Sequence, residues 1–172
     1  HLGVPISLSN LTGEDKYGVF EIGMSKKGEI DNLSKLIKPH IGIVTNIGEA
    51  HIENFTNICG IAKAKSEIIN SIERNGTIIL NRDDKFFNFL RKKAKLKKLK
   101  IITFGKDKKS DIFPLLFIKS SDSTKVVFKV KKEKINLEFK NINIYNIMAA
   151  LAVIKELNHK PNNIKKILRN FE

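Results

Sequence analysis

The sequence predicts an α/β fold: a mostly parallel β-sheet flanked by helices on both faces, extended by a small antiparallel β-meander. Two observations carry this. Up to about residue 105, short β-branched runs alternate with stretches of helical apolar spacing across short connections, the order that right-handed crossovers build into a parallel sheet. From about residue 110, three strand-like runs follow one another directly, which reads as a meander. The apolar share of 41%, with eleven Phe in 172 residues, is enough to offset the entropy of ordering one domain.

Taken in order, YGVFEIG (17–23) has the β-branched and aromatic content of a short buried strand closed by Gly23. EIDNLSKLIK (29–38) places Ile30, Leu33, Leu36 and Ile37 at helical spacing, and Pro39 stops the helix. HIGIVTNIG (40–48) is a second buried strand. A single longer helix is expected over 58–73, with Ile58, Ile61, Ala62, Ile68, Ile69 and Ile72 on its apolar face. TIILN (77–81) is a third strand after Gly76. An amphipathic helix then runs through FFNFLRKKAKL, and KIITFG (100–105) is a fourth strand. The meander occupies 110–140 as FPLLFIKSS, TKVVFKVKK and INLEFK. Helical spacing returns in IYNIMAALAVIKEL (144–157) and again in NNIKKILRNF (162–171).

Charge narrows the function classes. The net charge of +14 would attract polyanions, and seven of the ten residues at 91–100 are basic. Yet only four of the 32 basic residues are Arg, the type suited to bidentate phosphate or base recognition, and Lys, Ile and Asn together make up 71 of the 172. A solvated basic face, the mark of an AT-rich coding sequence, is favoured over a nucleic-acid-binding module. One cysteine, Cys59, fits a reducing compartment, and no apolar run is long enough to span a bilayer. A cytoplasmic monomer without membrane insertion is expected.

Four features stand apart from core packing. Glu21 closes the first strand, where open α/β sheets bind ligands; the bland alternative is an exposed strand-end charge. Glu49, His51 and Glu53 crowd the end of the second strand, a combination suited to a divalent cation or simply to a surface. Lys65 lies on the following helix, one turn before Ile68 and Ile69. Asn143 and Asn146 stand one turn apart at a helix start, where Asn143 reads as an N-cap. No G-x-x-x-x-G-K-[ST] or G-x-G-x-x-G loop occurs, and no nucleophile elbow or zinc spacing.

Six strings in order resemble the Mur ligase family: HLGVPISL (1–8), EIGMSKKGEI (21–30), PHIGIVTNIGEAHIENF (39–55), IAKAKSEI (61–68), NGTIILNRDD (75–84) and NIYNIMAALA (143–152). The resemblance implies a P-loop-type central domain over 1–172, cut at both ends. It also implies ATP and Mg²⁺ as cofactors and amide-bond formation through an acyl phosphate. The G-M-S-x-x-G-E-I form favours the branch that joins D-alanyl-D-alanine to UDP-N-acetylmuramoyl-tripeptide over a sister ligase or a folylpolyglutamate-type enzyme. By the same resemblance Glu21 and His51 match the Mg²⁺ ligands, and Lys65 matches the lysine that CO₂ carbamylates into a third, so His51 and Lys65 count as catalytic. Asn143 and Asn146 match asparagines near the nucleotide, and Asn46 one at the active-site edge. The chain departs from the family's G-x-H-N before the last helix, showing Asn141-Ile142-Asn143 instead. With the phosphate-binding loop expected upstream of residue 1, the chain alone is expected not to turn over.

Overall fold

The computed structural model describes residues 2–48, 52–121 and 123–159. Its elements are α1 (Gly3–Ser9), α2 (Glu29–Ile37), β1 (Ile41–Val44), a 3₁₀ turn (Ile52–Asn54), α3 (Ile58–Lys65), α4 (Ile68–Ser71) and β2 (Thr77–Asn81). They continue with α5 (Phe87–Leu96), β3 (Lys100–Phe104), β4 (Ile112–Lys119), β5 (Thr124–Val130), β6 (Glu133–Phe139) and α6 (Ile144–Glu156). The helix predicted over 162–171 lies outside the described residues.

The strands form one sheet in chain order, β1-β2-β3-β4-β5-β6. β1, β2 and β3 are parallel and in full register, from Ile41↔Thr77↔Lys100 to Val44↔Leu80↔Thr103. The meander is not a separate unit. β4 joins β3 in parallel at Phe104↔Ile112, and the sheet then turns antiparallel through β5 and β6. Pro114 sits where the β4–β5 register shifts, a bulge that tolerates its missing N–H.

Period-2 alternation decides which helices cover which face. Ile79, Ile102, Phe104 and Ile112 point to one face and pack with Met148, Leu151 and Ala152 of α6. Val44, Ile78 and Leu80 point to the other, against Ile30 of α2, Ile61 and Ala64 of α3, Ile69 of α4 and Leu90 of α5. Phe104 is fully buried, so truncation to Ala would cost about 3–5 kcal/mol. Thr77 donates its hydroxyl to Glu156 (2.7 Å) at the start of β2, and Tyr145 donates to Asp83 (3.0 Å) past its end. α6 therefore runs antiparallel to β2, with its first turn at the C-terminal edge of the sheet.

Two expectations are corrected. Residues 17–24 have no regular secondary structure and form no ladder, and β1 pairs with β2 alone. Val19 is 93% exposed, while Ile22 and Met24 pack against the core, so one side of the segment is covered although its backbone pairs with no strand. Gly18 and Gly23 also raise the entropic cost of pairing. Glu21 thus lies in an irregular segment, not at a strand end. The expected single helix over 58–73 is broken at Ser66-Glu67 into α3 and α4. Glu67, at that interruption, turns its side chain to the Gly28 and Asp31 amides.

Candidate active site

Ligands of open α/β sheets bind beyond the carboxyl ends of the strands, and three loops and one helix start meet there. After β1, Asn81 Nδ2 donates to the Thr45 carbonyl (3.1 Å) and the Ile47 N–H donates to Asp84 Oδ2 (2.6 Å). The loop carrying Asn46 is thereby fixed to the end of β2. The Asn46 carbonyl in turn accepts a hydrogen bond from Lys65 Nζ (2.8 Å). Of the predicted site residues, the structure brings these two together. Lys65 ends α3 and is half-buried; burial pushes its ammonium below the usual 10.5, partly opposed by the Asp84 carboxylate.

Glu21 is exposed in its irregular segment, which is anchored at both ends. At one end the Tyr17 hydroxyl and His159 Nε2 share a hydrogen bond of 2.7 Å. At the other, Met24 is buried and Glu29 Oε2 accepts the N–H groups of Ser25 (2.6 Å) and Lys26 (3.1 Å). The Gly28 N–H donates to both oxygens of Glu67 (3.0 and 3.1 Å), and the Asp31 N–H to Glu67 Oε2 (3.2 Å). Glu67 therefore caps α2 from two residues beyond Lys65, tying the turn after Glu21 to the lysine's helix. Glu49 and His51 lie outside the described residues. Among the described residues no group of three His, Cys, Asp or Glu gathers at one point; of the predicted triad, Glu21 alone is a described side chain of these types.

At the start of α6, Asn143 is the N-cap, its side chain accepting the Tyr145 N–H at 2.8 Å, as the sequence predicts. Asn146 is exposed on the first turn. Neighbouring Asp83 accepts N–H groups from Lys106 (2.6 Å) and Asp107 (3.2 Å) as well as the Tyr145 hydroxyl. Burial, then the Asp83 carboxylate beside it, hold the Tyr145 phenol above its usual 10.0. Adjacent aspartates thus serve opposite halves of the site: Asp84 fixes the Asn46–Lys65 loop, and Asp83 fixes the helix that carries Asn143 and Asn146. Sequence reasoning placed the pair only inside a matching string. Two consecutive acids just past a buried strand were the available signal.

The basic run at 91–100 spans the second half of α5 and the turn into β3. Lys93 Nζ donates to Ser66 Oγ (2.9 Å) and Lys97 Nζ to the Asn70 carbonyl (2.6 Å), fastening α5 to α3 and α4.

This parallel sheet, with a lysine and paired aspartates at its carboxyl edge, matches the Mur ligase middle domain over residues 1–154, and the chain belongs to that family. Its similarity is to one branch of it. The chain is 35% identical over 152 residues to the UDP-N-acetylmuramoyl-tripeptide–D-alanyl-D-alanine ligase of Buchnera aphidicola, covering 88% of this chain and 33% of that protein. Among solved structures, MurF from Acinetobacter baumannii superposes with a TM-score of 0.90 at 31% identity, over 98% of this chain and 37% of that one. MurF from Thermotoga maritima in complex with ADP gives 0.79 at 25% identity, over 92% and 37%. The chain spans about a third of the length of these relatives.

Proposed function

We propose that this chain is the nucleotide-handling domain of a cytoplasmic ligase that uses ATP to join D-alanyl-D-alanine to UDP-N-acetylmuramoyl-tripeptide, a step of peptidoglycan precursor synthesis. The substrate carboxylate takes the γ-phosphoryl group, giving an acyl phosphate and ADP. The dipeptide amine then displaces phosphate and loses a proton, leaving the amide. Such chemistry asks the protein for positioning and charge neutralisation more than for covalent help.

The observation that carries this reading is Lys65. Its amine is half-buried, lies below its usual proton affinity and is aimed by one bond to the Asn46 carbonyl. Desolvation favours the neutral amine, the form that adds CO₂. The resulting carbamate is a carboxylate in its donor chemistry, so the donor set Glu21, His51 and carbamylated Lys65 suits a hard divalent cation such as Mg²⁺. When bound, Mg²⁺ supplies charge neutralisation at the phosphates. Asn46 holds the lysine in register. Asn143 spends its side-chain oxygen on the helix cap and keeps its amide N–H donors for a nucleotide, with Asn146 one turn on.

The test measures phosphate release by the longer protein containing this domain, with ATP, Mg²⁺, the UDP-linked tripeptide and either D-alanyl-D-alanine or single amino acids. Release that requires the dipeptide, falls at least about 100-fold in Lys65→Met, and accompanies a ¹³C-bicarbonate-derived carbamate signal absent from that variant supports the reading. Release with a single amino acid, or full activity in Lys65→Met, refutes it.

A further inference from the structure

The start of α6 is held from outside the helix, and Asp83 is what holds it. Oδ2 of Asp83 takes the Lys106 N–H (2.6 Å) and the Tyr145 hydroxyl (3.0 Å), while Oδ1 takes the Asp107 N–H (3.2 Å). One carboxylate thereby joins the end of β2, the loop after β3 and the first turn of α6. The approach is close: a Cβ on Gly105 would stand 2.8 Å from Asp83 Oδ1, and Gly105 has φ +156°. Lys106 adds a second hold, with Nζ 5.5 Å from the centroid of the Tyr145 ring. Tyr145 lies between Asn143 and Asn146, so whatever fixes its hydroxyl fixes the heading of both amides. The only cap within the helix is the Asn143 bond to the Tyr145 N–H, which sets where the helix begins but not how its first turn is rotated against the sheet.

We infer that Tyr145 and Asp83 are positioning residues for the nucleotide: their hydrogen bond sets the rotation of the first turn of α6, and with it the aim of Asn143 and Asn146. This rests on the ligase reading above and adds residues that touch neither substrate. A positioning role differs from a merely structural one because α6 is already secured by the core contacts of Met148, Leu151 and Ala152 and, at its far end, by Glu156 to Thr77. Losing the tyrosine hydroxyl should leave the helix in place and loosen only its start.

The test uses Tyr145→Phe, Asp83→Asn and the double variant in the longer ligase. A charge-assisted hydrogen bond that is partly exposed predicts a rise of about 5- to 10-fold in KM for ATP in each single variant. The expected kcat and the KM for the dipeptide stay within about 2-fold, and the double variant is no worse than Asp83→Asn alone. Hydrogen exchange on the 172-residue chain should quicken at the amides of the first turn of α6 and stay unchanged near Leu151. An active wild type whose Tyr145→Phe variant keeps its KM for ATP overturns this inference and leaves the ligase reading standing. So does a variant in which KM for ATP rises while kcat and the thermal midpoint both fall. A wild type that ligates nothing overturns the ligase reading and this role with it.

Discussion

Glu67→Ala tests the link between the two sides of the site most directly. Glu67 is 8% exposed, and its carboxylate accepts the Gly28 N–H with both oxygens and the Asp31 N–H with one. Removing it takes away the acceptor that caps α2, which typically costs about 1 kcal/mol. The favourable placement of a negative charge at a helix N-terminus is lost as well, about 0.5 kcal/mol. A part-buried N–H left without a partner adds about 1 kcal/mol, so the total comes to about 2–3 kcal/mol. For a chain of this size that is a fall in melting temperature of about 5–10 °C. Glu67→Gln keeps one acceptor oxygen and loses the charge, so its cost should be about 1 kcal/mol. Thermal and urea unfolding followed by circular dichroism read both variants, with an unchanged urea slope expected. A shift below about 2 °C for Ala, or equal losses for Ala and Gln, would show that the cap is not what joins α2 to the Lys65 helix.

Other perturbations follow from the same contacts. Burial alone would raise the Glu156 carboxyl, but the Lys100 ammonium at 2.5 Å and the Thr77 hydroxyl outweigh it and hold it below its usual 4.5. Its contribution is therefore present above that value and lost as pH falls through the folded one. Glu156→Gln should be less stable than wild type at neutral pH and converge with it in acid; urea midpoints that stay parallel across pH would refute this. Gly105→Ala places a Cβ against Asp83 at a backbone angle of +156° and should cost about 1–3 kcal/mol, an effect that an unchanged urea midpoint would exclude. Asp84→Asn removes the carboxylate that favours the charged form of Lys65, so NMR titration of the uncarbamylated lysine in CO₂-free buffer should place it still further below its usual 10.5. A rise would contradict the assignment.

The parallel core was legible because its strands are continuous apolar runs bounded by glycine and acids: TIILN became β2 with the predicted limits, and KIITF became β3. Helical periodicity gave α2, α5 and α6 for the same reason, and Asn143 could be read as a cap from its place alone. What failed needed knowledge of neighbours. Residues 17–23 carry strand composition, yet a strand is defined by a ladder partner, and composition cannot supply one. Glu67, where the helix is interrupted, accepts from amides nearly forty positions away at Gly28 and Asp31. At the site, Lys65 and Asn46 were named separately from family resemblance; their 2.8 Å contact through the Asn46 carbonyl is a backbone bond that no side-chain pattern announces. The roles of Asp83 and Asp84 were hidden because each acts on the backbone of a distant loop, where residue identity leaves no trace in the pattern. His51 lies outside the described residues.

The strand order has a consequence for synthesis. Because every strand of the sheet is laid beside its immediate predecessor, the nascent polypeptide can assemble it by successive addition at one margin, with nothing threaded between strands already placed. The burden falls on the helix that comes last among those described. Among the described helices it is α6, residues 144–156, that covers Ile79, Ile102, Phe104 and Ile112, so a translation product arrested before it would lack that cover over an apolar surface of the kind chaperones grip.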